Sequence, residues 1–259
     1  MAPKVRRHER IVRLIRDNGF MTVEHLAREL DVTPQTIRRD INELCGEKLL
    51  NRYHGGATAG AALQNNAYLV EKNKLQTEKA RIADMIAEQI PDGASLFMSI
   101  GTTIEAVATA LVKKRGNLRI ITNNIHVAAI VSGRTDYTVI IASGVVRPLD
   151  GGVTGVATVD FINQFKADYA VLGAASVEAD GSLLDFDYKE VTVMQAMMAN
   201  ARTRFLAFEH SRRNRSALVR MGTVGEFDVV FSDEEPEESL RRKMEESGVV
   251  CHISARPAD

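Results

Sequence analysis

The chain has 259 residues, of which 45% are hydrophobic and 26% charged, and its formal net charge is −1. This composition is typical of a globular protein long enough for two domains, and it argues against a wholly basic nucleic-acid coat. No apolar run reaches the ~18 residues of a membrane helix, and the basic start lacks the apolar segment of a secretory signal. Cys45 and Cys251 form no metal or redox spacing, which indicates reduced thiols in a cytoplasmic protein.

The charge is unevenly distributed along the chain. Residues 1–57 carry a formal charge of +3 and the remainder −4, which suits a small DNA-contacting domain joined to a larger acidic one. Residues 6–17 predict an amphipathic helix. Thr22 is placed to cap a second helix over VEHLAREL, and Asp31-Val32 forms a tight turn after it.

A capped, basic helix is predicted over Thr33–Leu44, TPQTIRRDINEL. Thr33 is the cap, and Pro34 occupies the first helical position, where no amide donor is needed. At ~100° per residue one helix face is apolar, and the other carries side chains that contact base edges and phosphates: Gln35, Arg38, Arg39 and Asn42. Alone, the segment equally fits an ordinary surface helix. With the preceding helix and turn it predicts a helix-turn-helix.

The stretch after Gly46, KLLNRYHGGA, predicts a small hairpin in which Leu49, Leu50 and Tyr53 pair. Arg52 and His54 would be exposed on this wing, which in such domains contacts the DNA backbone or the minor groove. For His54, a surface histidine without a function is the alternative.

The predicted domains are a DNA-binding domain over residues 1–57, a linker over 58–76 and a larger domain over 77–259. In the larger domain seven apolar runs predict strands: SLFMSI, LRIIT, YTVIIAS, ADYAVLGAA, RFLAF, DVVFSD and VVCHI. Helices are predicted between them over TEKARIADMIAEQI and over Thr103–Lys113, Ile125–Val131, Val156–Phe165, Tyr188–Arg202 and Pro236–Glu246. This alternation indicates an α/β fold with a mostly parallel sheet covered on both faces.

Polar residues cluster where the predicted strands end, at the edge where such sheets bind ligands. Gly101, Thr102 and Thr103 open a helix after the first strand and form a candidate anion site, although a simple capped turn fits equally well. The other candidates are Thr122, Asn123, Asn124, Arg147, Gly151, Gly152, Asp185, Asp187 and Glu190. The carboxylates among them also fit helix caps. Groups that can donate hydrogen bonds to a phosphate thus lie beside carboxylates that can bind hydroxyls. This combination indicates that the ligand is a small phosphorylated sugar or polyol.

The pairing of TPQTIRRDINEL with LLNRYHGGA resembles the DeoR family of bacterial transcriptional repressors over residues 6–57. The resemblance implies binding to double-stranded operator DNA as a dimer or tetramer, through Thr33, Gln35, Thr36, Arg38 and Arg39. For the larger domain it implies a fold like that of ribose-phosphate isomerases and coenzyme A transferases, which senses phosphorylated sugars.

Within the family, a closer resemblance is carried by IGTT, ITNN, DGGVTGVATVDFINQF, DGSLLDFDYKEV and MANAR. It implies repression of genes for glycerol uptake and oxidation, with sn-glycerol 3-phosphate as the effector. Its phosphate would lie at Gly101, Thr102 and Thr103, and its hydroxyls near Asn123, Asp185 and Glu190. The family's Ser-Lys pair is Ser211-Arg212 here, which makes Arg212 a candidate phosphate contact of different reach. Thr192 stands where a basic residue is expected.

Two alternatives remain open: a repressor that responds to another phosphorylated sugar or polyol, and a sugar-phosphate isomerase. An isomerase needs a base, for which Glu190 is the one plausible residue, and no lysine follows it in its helix. An enzyme is therefore disfavoured. No cofactor is implied, and the six histidines lack the spacing of metal ligands.

Overall fold

The computed structural model describes residues 3–18, 20–53, 55–59, 68 and 70–254. The chain divides into two compact units, residues 1–73 and 74–259, and this division falls inside the segment predicted as a linker. Among the described residues, no helix is long and apolar enough to cross a membrane.

Within its described residues, the amino-terminal unit contains α1 (Pro3–Asn18), β1 (Phe20–Thr22), α2 (Val23–Glu29), α3 (Pro34–Gly46), β2 (Leu50–Tyr53) and β3 (Gly56–Ala59). The strands form an antiparallel sheet in the order β1-β3-β2. The helices and the hairpin were predicted. Strand β1 was not, because three residues are too few to show an alternating pattern. Strand β3 extends past residue 57, where the boundary was predicted.

The predicted caps of α2 and α3 are present. The Thr22 hydroxyl accepts from the amide of His25 at 3.1 Å, and the Thr33 hydroxyl accepts from the amide of Thr36 at 3.2 Å. One buried apolar cluster joins the three helices to the sheet, and it includes Ile11, Ile15, Leu26, Ile37, Ile41, Leu44 and Leu50. The apolar face predicted for α3 is therefore the buried one.

The carboxy-terminal unit is built on a seven-stranded sheet. Its order is β15 (Val250–Ile253), β14 (Val229–Ser232), β12 (Ala201–Ala207), β9 (Ala167–Leu172), β4 (Ser95–Met98), β5 (Arg119–Thr122) and β6 (Thr138–Ile141). All neighbouring strands are parallel. These are the seven predicted strands, and their carboxyl ends meet at one edge of the sheet.

Helices cover both faces of this sheet: α4 (Gln76–Gln89), α5 (Thr102–Lys114), α6 (Ile125–Val131), α7 (Val156–Ile162), α8 (Tyr188–Ala199) and α9 (Glu238–Glu246). Phe97 packs into the cluster on the side of α7, α8 and α9, whereas Leu96 and Met98 pack against α4, α5 and α6. Two predicted helix ends were too late. Helix α7 stops at Ile162 rather than Phe165, and α8 stops at Ala199 because Ala201 already pairs with β9.

Four other short strands were not predicted: β7 (Val145–Val146), β8 (Val153–Thr154), β10 (Ser176–Val177) and β11 (Ser182–Asp185). With β13 (Val219–Thr223), also missed, they form a two-stranded ribbon β7-β8 and an antiparallel sheet β10-β11-β13. Strands β7, β8 and β10 have only two residues each, and β11 and β13 lack the continuous apolar run by which the main strands were predicted. They shape the loops that hold the polar candidates beyond the main sheet.

Candidate nucleic-acid interface and ligand site

Helix α3 presents its polar face to solvent. Thr33, Gln35, Arg38 and Arg39 are exposed, and Thr36 is half-buried with its hydroxyl 2.9 Å from that of Thr33. The side chain of Arg38 is 47% exposed and that of Arg39 is 80% exposed. The sequence-predicted contact residues thus share one accessible face, from which guanidinium groups can reach base edges or phosphates.

Asp40 lies on the buried side of the same helix. It accepts hydrogen bonds from Arg7 and, at 3.0 Å, pairs with a ring nitrogen of His8, both on α1. Burial raises the pKa of Asp40, but the hydrogen bonds from Arg7 and His8 outweigh it and lower that pKa. Asp40 therefore orients an arginine of α1, and it fixes α3 against α1 from behind the exposed face.

The wing places Arg52 beside the recognition helix. Arg52 Nη1 donates to Asn42 Oδ1 at 2.9 Å, so the exposed arginine of β2 contacts α3. Asn42 belongs to the polar face predicted for α3. His54 lies outside the described residues.

The first candidate of the ligand site is the start of α5. Gly101 is its N-cap with a φ of +140°, a conformation that favours glycine. Thr102 and Thr103 follow in the first turn and are buried. Thr103 Oγ1 donates to Glu209 Oε2 at 3.2 Å, whereas Thr102 Oγ1 has no hydrogen-bond partner among the described residues. A buried hydroxyl at a helix N-terminus suits an anion such as phosphate.

The second candidate is the end of β5, where Thr122 serves the fold. Its hydroxyl donates to the carbonyl of Met98 at 2.7 Å and accepts from the amide of Asn124 at 3.0 Å. Asn123 Nδ2 donates to the carbonyl of Val153, and Asn124 Oδ1 caps α6 by accepting from two backbone amides. Within the described part of the chain, Asn123 Oδ1 and Asn124 Nδ2 are buried without a partner. One acceptor and one donor therefore remain for a ligand.

The sequence suggested Arg147 as a ligand-binding residue that would supply positive charge. In the structure its charge is instead taken up by carboxylates of the protein. Its guanidinium donates to Asp150 at 2.9 Å, to Asp187 at 3.3 Å and to Glu190 at 2.5 Å. Burial opposes the charge of Arg147, but the carboxylates of Glu190 and Asp150 raise its pKa. The predicted cation is thus the centre of an acidic cluster, which also approaches Asp185.

Burial raises the pKa of two carboxyls of this cluster, Glu190 and Asp185. Burial raises the pKa of Glu190 to about 8, against the lowering effect of Arg147. It also raises the pKa of Asp185, which accepts from the amide of Phe186 at 2.6 Å. Asp187 caps α8 through the amide of Lys189. The cluster can accept and donate hydrogen bonds, as recognition of a polyol requires.

Gly151 and Gly152 act through close packing. A Cβ on Gly152 would lie 2.3 Å from the Ile100 side chain, and one on Gly151 would lie 3.1 Å from His126. The Gly151 carbonyl accepts from the amide of Ile125, and the Gly152 carbonyl accepts from the amide of Arg147. These glycines therefore bring the loop before β8 against the ends of β4 and β5.

Glu209 and Lys79 complete the site, and sequence reasoning missed both. Glu209 is fully buried after β12, and Arg212 Nε donates to it at 2.6 Å. Burial raises the pKa of Glu209, but Arg212 and Lys79 together lower it to about 2. Lys79 is 2% exposed on the apolar face of α4, in register with Ile82 and Ile86. A lysine on a helix's apolar stripe is a signal that could have been used.

The fold brings together two groups of a histidine and two carboxylates that no spacing in the sequence predicted. They are His8 with Asp40 and Glu43, and His210 with Asp233 and Glu234. In each group the carboxylates also contact arginine or lysine: Arg7 and Lys4 in the first, Arg213 in the second. These ion pairs account for both groups as structural contacts.

A winged helix-turn-helix and an α/β unit with a polar site at the carboxyl edge of its sheet define a DNA-binding, ligand-responsive regulator of transcription. The model of the DeoR-like helix-turn-helix domain matches residues 7–61, and that of the DeoR C terminal sensor domain matches residues 74–234. The chain belongs to the DeoR family.

The sequence is similar to those of known repressors over nearly the whole chain. The chain is 44% identical over 237 residues to the glycerol-3-phosphate regulon repressor of Escherichia coli strain K12, covering 92% of this chain and 94% of that protein. It is 37% identical to the transcriptional repressor CsqR of the same organism, covering 94% and 93%. Both relatives are named as repressors and not as enzymes.

Among solved structures, a D-ribose-5-phosphate isomerase in complex with phospho-erythronic acid is similar to part of the chain. The two are 15% identical with a TM-score of 0.40, and the match covers 53% of this chain and 54% of the isomerase. A likeness of this extent says nothing about catalysis.

Proposed function

We propose that this chain represses genes of glycerol and glycerol 3-phosphate uptake and catabolism, and that sn-glycerol 3-phosphate releases it from its operator. The repressor at 44% identity carries the name of that regulon. The structural observation behind the effector is the set of buried polar atoms on Thr102, Asn123 and Asn124 that lack partners among the described residues. Burying such atoms is costly unless a ligand satisfies them.

The phosphate is proposed to bind at the start of α5. Free amides and the helix dipole favour an anion there, and the Thr102 hydroxyl is available to donate. Lys79 and Arg212 supply positive charge through the Glu209 network behind Thr103. Arginine contacts phosphate with a planar fork, so Arg212 would fit a phosphate in a different pose from a lysine.

The glycerol hydroxyls are proposed to bind on the other side of the site. Asn123 Oδ1 can accept a hydroxyl, and Asn124 Nδ2 can donate to one. Glu190 pairs with Arg147, whose loop reaches Asn124 through the bridge between Asn124 and Gly152, and we propose that Asp185 contributes on the same side. Carboxyl oxygens accept hydrogen bonds from hydroxyl groups, which suits a polyol better than a second anion.

DNA binding is proposed to occur as a dimer or tetramer in the cytoplasm. A single winged helix covers one half-site, and paired domains bind two. For the effector to release DNA, it must bind the released arrangement more tightly than the operator-bound one, by a few kcal/mol. The chain would then be a switch rather than a catalyst.

The test is operator release. Purified protein is bound to DNA from upstream of a glycerol-uptake operon at fixed salt, because phosphate contacts make affinity depend steeply on ionic strength. A panel of sugar and polyol phosphates is then titrated in. We expect sn-glycerol 3-phosphate to release the DNA at the lowest concentration, with no turnover of any compound.

A second candidate is the same repressor with a different phosphorylated effector. Arg212 in place of the lysine expected from the family, and the 37% identity to a repressor of another name, favour this alternative. Release by another phosphate alone would establish it. Failure to bind any fragment more tightly than scrambled DNA would contradict both proposals.

A further inference from the structure

An ion pair between Glu24 and Arg38 joins the two helices of the helix-turn-helix on its exposed side. Arg38 Nη2 donates to Glu24 Oε1 at 3.3 Å, and the two side chains are 47% and 61% exposed. Glu24 lies in the first turn of α2, and Arg38 lies on the polar face of α3. An ion pair this exposed contributes little to stability. Its position on the DNA-facing surface points to another role.

The other arginine of this face is held differently. Arg39 Nε lies 3.4 Å from Glu43, but Glu43 also contacts Lys4 at 2.6 Å. Glu43 is therefore shared between two cations, and the charge of Arg39 is only partly balanced. Arg38, in contrast, has the Glu24 carboxylate as its acceptor, so the pair is close to neutral. The two neighbouring arginines thus meet DNA with different effective charges.

We propose that Glu24 is a specificity-determining residue, which neutralises Arg38 toward phosphates and orients it toward a base edge. This inference rests on the proposed operator binding. Non-specific DNA offers mainly phosphates, and a neutralised arginine gains little from them because few counterions are released. A base edge in the major groove instead rewards a guanidinium whose direction is already fixed. Glu24 thereby weakens non-specific binding more than operator binding.

The test compares Glu24→Gln with the unmodified full-length chain on two DNAs. One is an operator fragment that the unmodified chain binds, and the other is a scrambled fragment of equal length, each measured across a salt series. We expect affinity for scrambled DNA to rise roughly fivefold. The plot of log affinity against log salt should steepen by about 0.9, the contribution of one added phosphate contact. Operator affinity should change less. The specificity ratio, which is operator affinity divided by affinity for scrambled DNA, should therefore fall.

Glu29→Gln is the matched control, because Glu29 lies on the same helix, is 52% exposed and pairs with His25 rather than an arginine of α3. We expect it to leave the specificity ratio unchanged. An equal rise in Glu29→Gln, or no rise in Glu24→Gln, would overturn the proposal.

A second measurement isolates the arginine. In an Arg38→Ala background, Glu24→Gln should have no further effect on scrambled-DNA affinity or on its salt dependence. A rise that persists there would mean that Glu24 acts by general repulsion, and the proposal would be wrong. Thermal unfolding of each variant reports any loss of the favourable interaction between Glu24 and the α2 N-terminus. If the unmodified chain does not prefer the operator fragment, the proposed function fails, and this failure is separate from either outcome above.

Discussion

The two units of the chain hold their charged groups in opposite ways. In the amino-terminal unit, Arg38 and Arg39 are exposed and contact single glutamates. In the carboxy-terminal unit, the half-buried Arg147 and the fully buried Glu209 lie in networks that connect several loops. Arg39, whose carboxylate partner Glu43 is shared with Lys4, can exchange that contact for a DNA phosphate at little desolvation cost. A buried network changes only when a ligand replaces the hydrogen bonds it breaks.

Because of this difference, the two units should respond differently to substitution. Substitutions on the DNA-binding face should alter affinity and leave folding intact. Substitutions in the buried networks should alter the stability of the fold, except at positions such as Thr102 whose polar atom has no partner among the described residues.

The largest expected effect concerns the pH dependence of stability through Glu190. Its pKa is about 8 in the folded chain against an ordinary value of 4.5. Between these values the folded state keeps a proton that the unfolded chain has lost. The stabilisation is therefore complete below about pH 4.5 and is lost as pH rises toward 8. We expect the free energy of unfolding, from urea titrations, to fall by up to about 1.4 kcal/mol per pH unit in that interval.

Glu190→Gln should remove most of this slope, because the amide does not titrate. The remaining slope reports on Asp185, whose pKa is raised in the same direction. Glu246→Gln, at a 55%-exposed carboxylate, is the control and should keep the slope of the unmodified chain. An unchanged slope in Glu190→Gln would show that the acidic cluster around Arg147 is solvated rather than buried.

The next effect concerns Glu209, which joins Thr103, Arg212 and the charge of Lys79. Glu209→Gln keeps the shape of the side chain but leaves buried positive charge uncompensated. We expect it to lower the free energy of unfolding by about 3 kcal/mol at neutral pH. Glu245→Gln, at a 63%-exposed carboxylate of α9, serves as the control. A loss of the same size in both variants would contradict the contrast between buried and exposed charges.

On the DNA-binding face, Arg39→Ala should weaken specific operator binding roughly ten- to a hundredfold, because one base or phosphate contact is lost. Because Arg39 is 80% exposed, thermal unfolding should not change. The control Arg13→Ala removes an exposed arginine from α1. Unchanged operator affinity of Arg39→Ala in an electrophoretic mobility shift assay would mean that another face of α3 contacts DNA.

The exposed and buried regions also differ in how far the sequence predicts them. The polar face of α3 follows from its period and its cap, because both are properties of one short segment. The seven main strands follow from apolar runs that two covered faces require. Arg147 shows the limit: its neighbours Asp187 and Glu190 are forty residues away or more, and only the folded chain shows that they neutralise it.

The ribbon β7-β8 and the sheet β10-β11-β13 escaped prediction for a related reason. Their strands lack the continuous apolar runs of the main sheet, and three of them have only two residues each. Lys79 is the opposite case, because its place on the apolar stripe of α4 was visible in the sequence. The positions of candidate ligand residues could thus be predicted, but not which of their polar atoms are already bonded within the protein.

The smallest expected effect is the sharpest test of the ligand site. Thr102→Ala removes a hydroxyl that has no partner within the described structure, so the fold should lose nothing. A bound phosphate would lose one charge-assisted hydrogen bond, and we expect the concentration of sn-glycerol 3-phosphate needed for half-maximal operator release to rise about tenfold. Operator affinity without effector should not change. Thr109→Ala, on the same helix, removes a hydroxyl that donates to the Glu105 carbonyl and should leave release unaffected. Equal release by Thr102→Ala and the unmodified chain would place the phosphate away from the start of α5, whereas loss of operator binding by Thr102→Ala would show that this buried position also determines the DNA-binding state.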